Sequence, residues 1–184
     1  MKVLVAYESK YGATAGIAER IAETLRKDGF AVDLMKAREV HELRSYDAFV
    51  VGSAVYYGAW MKEAIDFVKR ESATLAARPL WLFSSGPTGA ETTDKQGRDL
   101  REVFLPKTIA ELPVRPRGHR VFYGSFDPKN MGGIIGALLS KIPTSAAGTS
   151  AGDFRDWTDI ASWADAIAKD LTTAPTERVA AVAG

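Results

Sequence analysis

At 184 residues the chain is long enough for one domain with a sizeable core and short for two. Its 24 basic and 23 acidic residues leave a formal net charge of +1, so no whole-molecule field draws it to nucleic acid or to an anionic membrane. It has no cysteine, which excludes disulfides, iron–sulfur clusters, thiolate zinc sites and cysteine catalysis, and its two histidines, His41 and His119, lie too far apart in sequence to suggest a metal site.

The first element is the strand Val3–Tyr7, a continuous apolar run of the kind buried on both faces of a parallel sheet. It is too short for a signal peptide, and Glu8 and Lys10 interrupt it. From Thr14 to Lys27 the residues Ile17, Ala18, Ile21, Ala22 and Leu25 recur at helical spacing, and Gly29 ends the helix. Phe30–Met35 and Ala48–Gly52 read as the second and third strands. Met61, Ala64, Ile65, Val68 and Leu75 mark another helix, and Pro79–Phe83 opens a fourth strand. Residues 94–112 read as a helix interrupted by Pro106. His119–Tyr123 is the fifth strand, and Ile160, Trp163, Ala164, Ile167 and Leu171 mark a last helix with Asp156 as its N-cap. The tail from Thr172 has no clear core face and is expected to fray. No apolar run reaches the roughly 18 residues that span a bilayer, so a cytoplasmic location is expected.

Strands alternating with helices predict an α/β fold, a doubly wound five-stranded parallel sheet of order 2-1-3-4-5. One domain over residues 1–172 is expected, with an extra segment at 125–155 before the last helix and a tail at 173–184. The connection over residues 126–152 is long for a compact domain and reads as a wall over a substrate. Its apolar stretch, residues 131–142, reads as a short helix packed on the domain or on a second subunit.

Between the first strand and the first helix lie Ser9, Lys10, Tyr11, Gly12, Ala13 and Thr14. A phosphate bound there gains from free backbone N–H groups and from the positive end of the helix dipole. Ser9 and Thr14 add hydroxyl donors, and Gly12 allows close approach or positive φ. Neither G-x-x-x-x-G-K-[ST] nor G-x-G-x-x-G is present, so this is neither a Walker loop nor a dinucleotide fingerprint. A plain turn with a helix cap is the alternative.

Two further loops leave the same sheet edge, where ligands bind in such folds. The first follows strand three and runs Ser53, Ala54, Val55, Tyr56, Tyr57, Gly58 to Trp60; the second follows strand four with Ser85, Gly86, Pro87, Thr88 and Gly89. Together they offer an aromatic wall and backbone donors for a flat ring. Trp60 serves equally as wall or as core, and two adjacent tyrosines cannot both point inward. The basic stretch Arg115–Arg120 enters strand five, at the edge opposite this site, and reads as a solvated turn with His119 structural.

These residues resemble the flavodoxin superfamily, whose phosphate loop reads roughly [ST]-x-[ST]-G-x-[ST]. Ser9, Gly12 and Thr14 match it, and Tyr11 replaces the middle hydroxyl residue. The opening through Thr14, the run Gly52–Gly58, and Asp156–Asp159 before an amphipathic helix are closer still to the flavodoxin-like menaquinone-dependent protoporphyrinogen oxidase family. That resemblance implies FMN as cofactor, with a deazaflavin coenzyme carrying the same phosphate end as the alternative. It also implies oxidoreduction of a quinone or small organic substrate, in which the flavin does the chemistry and the protein positions it. The segment at 125–155 is rich in glycine and alanine, unlike a surface for an anionic porphyrinogen. A flavodoxin-type electron carrier is the competing function, although the near-neutral charge lacks the acidic docking face such carriers use. A flavin-binding regulatory module, a homodimer and peripheral membrane contact stay open.

Overall fold

The computed structural model describes residues 1–88, 91–103, 105–126 and 152–173. Gly89, most of the extra segment and the tail beyond Thr173 therefore lie outside the described residues.

The sheet is built from β1 (Lys2–Glu8), β2 (Ala31–Lys36), β3 (Ala48–Tyr56), β4 (Ala59–Trp60), β5 (Leu80–Ser85) and β6 (Gly118–Phe122). Five of these run parallel in the order β2-β1-β3-β5-β6, and β4 folds back antiparallel on the end of β3. Counting the parallel strands alone, this is the expected 2-1-3-4-5 order. The apolar strands are buried on both faces because helices cover both. Val3, Val5, Val50 and Phe83 pack under α1 (Ala13–Lys27) and the last helix, α6 (Trp157–Thr173). Leu4, Ala6, Phe49, Val51 and Leu82 pack under α2 (Lys62–Arg70) and α3 (Ser72–Ala76). Strand order reverses between β1 and β3, which opens a crevice at their carboxyl ends.

Three expectations change. The helix anticipated from Met61 to Leu75 breaks at Glu71 into α2 and α3. The helix anticipated over 94–112 is instead two single turns, α4 (Leu100–Val103) and α5 (Lys107–Ala110). Asp94 takes the N–H groups of Gln96 and Arg98 on its Oδ1 at 2.9 Å, so its side chain wins those amides from a helix. Pro106 is the N-cap of α5, outside the helical turn, where its missing N–H breaks no helical bond. Last, α6 continues through Thr172 and Thr173, whose hydroxyls bond back to the carbonyls of Ala168 and Lys169 at 2.8 Å.

The start of α6 follows the expectation: Asp156 Oδ1 accepts the N–H groups of Thr158 and Asp159, each at 2.9 Å. Ile160, Ala164, Ile167, Ala168 and Leu171 form its buried stripe. Ion pairs Arg117–Asp170, at 3.1 Å, and Arg120–Asp159 fasten the helix to β6. The extra segment leaves and returns through β7 (Ser125–Phe126) and β8 (Gly152–Asp153), which pair antiparallel.

Candidate functional site

The phosphate loop runs from the end of β1 to the first turn of α1. Gly12 has φ +90°, a left-handed conformation that costs a glycine little, and none of the described residues lies within 4 Å of where its Cβ would be. Its N–H bonds to Ser9 Oγ at 3.1 Å, and its carbonyl accepts the N–H of Gly16, also at 3.1 Å. Among the described residues no side chain caps α1. Thr14 is only 1% exposed, and its Oγ1 is buried with no hydrogen-bond partner among the described residues. Such an orphan costs about 1–3 kcal/mol in a finished core. Lys10 Nζ lies 5.2 Å from the centre of the Tyr11 ring, and that ring meets Tyr56 edge-on at 6.2 Å. Ala13 offers its carbonyl to Arg155 Nη1 at 3.3 Å.

The second loop is more ordered than its sequence implies. β3 extends through Ser53, Ala54, Val55 and Tyr56, and the chain reverses at Tyr57 and Gly58, both at positive φ, into β4. Ser53 is fully buried; its hydroxyl donates to the Ala54 carbonyl at 2.9 Å and accepts the Met61 N–H at 3.0 Å. Trp60 belongs to the core. Its indole Nε1–H donates to Ser84 Oγ at 2.7 Å, which leaves the Ser84 hydroxyl proton free to point at His119 Nε2, 2.8 Å away. Burial pushes the His119 pKa down to about 4, so the imidazole is neutral at pH 7. Of the paired tyrosines, Tyr57 is fully exposed, while burial pushes the Tyr56 hydroxyl up to about 12.

Ser85 closes β5, and Gly86, Pro87 and Thr88 then run beside the end of β6. The Gly86 N–H bonds to the Phe122 carbonyl at 3.0 Å, and the Pro87 carbonyl accepts the Gly124 N–H at 2.9 Å. All three loops thus leave the carboxyl edge of the sheet. Arg117 and Arg120, at the opposite end and along β6, are engaged with α6.

Two residues that sequence reasoning passed over sit beside the phosphate loop. Glu8, fully buried at the end of β1, accepts the Arg38 N–H at 3.0 Å; its second oxygen has no hydrogen-bond partner among the described residues and faces Arg38 Nη1 at 4.0 Å. Its signal was a charged residue on the inward parity of an apolar strand. Arg155 had none, since it meets the loop across 142 positions of chain. A cavity of about 420 Å³ opens between Arg101, Tyr123, Phe154 and Asp159, lined by none of the residues of the three loops.

Residues 4–142 match the model of the flavodoxin domain family. Over 86 residues, 46% of the chain, the sequence is 28% identical to the protoporphyrinogen IX dehydrogenase [quinone] of Escherichia coli strain K12, of whose length the match covers 48%, about half. Among solved structures, a mutant flavodoxin from Pseudomonas aeruginosa overlays with a TM-score of 0.57 at 17% identity, covering 94% of this chain and 99% of that one. Oxidised flavodoxin 2 from Bacillus cereus gives 0.55 at 20% identity, covering 92% and 99%. These overlays show the shared fold. The family match covers most of the chain, so the protein belongs to the flavodoxin domain family, and FMN is its cofactor.

Proposed function

We propose that the protein is an FMN-dependent oxidoreductase acting on a quinone or another small organic substrate. The observation that carries this reading is the similarity to a quinone-linked protoporphyrinogen IX dehydrogenase. The near-neutral charge supports it, since a dedicated electron carrier gains from a strongly charged docking face.

The residues present fit the cofactor. The open space over Gly12, the uncapped N-terminus of α1 and the orphaned Thr14 hydroxyl together suit a phosphate. Ser9, Lys10, Tyr11, Gly12, Ala13 and Thr14 would hold that end. Tyr56, Tyr57 and Gly58 on one side, with Ser85 to Thr88 on the other, would hold the ring. When bound, the flavin supplies electron transfer in one- and two-electron steps. The chain supplies position: Ser53 and Trp60 tie the aromatic loop to the sheet.

The test is to identify the released cofactor by mass and then follow turnover with a soluble menaquinone analogue. Multiple turnovers with the quinone support the enzyme. Reduction of the flavin without quinone turnover, but with rapid exchange to a redox protein, makes the chain an electron carrier.

A further inference from the structure

The return arm of the extra segment ends on the phosphate-loop helix. Arg155 is the contact, and its side chain is only 16% exposed. Its guanidinium is held from two directions. Asp153 takes Nε and Nη2 at 2.7 and 2.6 Å, and the Trp157 ring lies beneath it at 4.3 Å. So fixed, Nη1 donates to the carbonyl of Ala13 in the first turn of α1.

The opposing surface is shaped for it. Gly16 sits inside α1, where glycine costs roughly 0.5–1 kcal/mol relative to alanine. Its backbone is not in the left-handed region that favours glycine. The reason for glycine is space: a Cβ at position 16 would come within 2.5 Å of Arg155 Nη1 and 3.5 Å of Trp157 Cη2. The Gly16 N–H closes the first helical bond onto Gly12. Thus one guanidinium bears on the turn that carries Gly12, Ala13, Thr14 and Gly16.

We propose that Arg155 is a positioning residue for the phosphate of FMN, docking through Gly16 to hold the amides of the phosphate loop and the Thr14 hydroxyl at their spacing. This rests on the reading that residues 9–14 hold that phosphate. A guanidinium locked by a neighbouring carboxylate loses little freedom on making the contact, which suits a fixed prop. Its partner Asp153 offsets most of its charge, so the effect on the phosphate is chiefly geometric.

The experiment measures Kd for FMN and for riboflavin by quenching of flavin fluorescence, in wild type, Arg155→Met, Arg155→Lys, Gly16→Ala and Thr14→Val, with the melting temperature of each apoprotein. Arg155→Met and Gly16→Ala should each weaken FMN about tenfold, equivalent to about 1.4 kcal/mol, and leave riboflavin unchanged. Arg155→Lys should fall between. Gly16→Ala keeps the fold testable, because alanine favours the helix while displacing the arginine. If FMN binding is unchanged in Arg155→Met and Gly16→Ala, or if both ligands weaken equally, Arg155 is not a positioning residue for the phosphate. If wild type does not prefer FMN over riboflavin, or if Thr14→Val weakens both ligands equally, the underlying assignment of the phosphate loop is what fails.

Discussion

The phosphate loop and the aromatic loop leave the same edge of the same sheet, yet their polar groups are in opposite states. In the aromatic loop they are used up within the protein. The Ser53 hydroxyl both donates and accepts, and the Trp60 indole is bonded to Ser84, which in turn reaches His119. In the phosphate loop, among the described residues, the Thr14 hydroxyl is buried without a hydrogen-bond partner and α1 has no side-chain cap. A wall for a ring needs stiffness and is finished in advance. A cradle for an anion keeps its donors for the ligand and spends some stability doing so.

The sharpest way to break this contrast is to cut the wall's anchor. Trp60→Ala should destabilise the apoprotein by about 3–5 kcal/mol, as for other large buried aromatics. It should weaken FMN and riboflavin alike, because the wall does not read the phosphate. Urea denaturation with both titrations checks it. An effect on FMN alone would mean that Trp60 belongs to the phosphate end.

Acid attacks the same anchor. The His119 pKa is held down to about 4 by burial, and an unfolded histidine takes its proton near about 6.5. The unfolded chain therefore binds more protons between those values. This contribution to stability is complete above about pH 6.5, is lost as pH falls through the window, and levels off below about 4; the total is about 3 kcal/mol. Denaturation midpoints at pH 7.0 and 4.5 should differ accordingly, and His119→Gln should flatten the difference. An unaltered pH profile in that variant would show that His119 does not titrate with folding.

In the cradle, Thr14→Val should weaken FMN by about one to two orders of magnitude, in line with loss of a hydrogen bond to a charged group. Riboflavin should be nearly unaffected. The apoprotein should be as stable as wild type or more so, because the change removes a buried unpartnered hydroxyl while keeping the shape. Destabilisation by more than about 1 kcal/mol would mean that the hydroxyl serves the fold. The smallest effect is that of Ser53→Ala, about 1 kcal/mol of stability for the lost clamp on Met61, with equal and modest loss of both ligands.

Much of this was legible in the sequence because the signals are local. Val3–Ala6, Ala48–Val51 and Leu80–Phe83 are apolar runs that only a sheet covered on both faces can bury. Ser9, Gly12 and Thr14 follow at once from such a run, so the proposed cradle rests on local residues alone. What stayed hidden depends on distant partners. The core role of Trp60 requires Ser84, 24 residues on, and the dock of Arg155 requires the vacancy at Gly16. The helix anticipated over residues 94–112 failed for another reason. Asp94 competes for the amides that a helix needs.

One titration bears most directly on the proposed cradle: FMN against riboflavin on the wild-type apoprotein, at low and moderate salt. If residues 9–14 hold the phosphate, FMN binds at least about tenfold more tightly, a gap of about 1.4 kcal/mol or more, and added inorganic phosphate competes with FMN but not with riboflavin. Riboflavin binding as tightly as FMN, with no competition from phosphate, would contradict it.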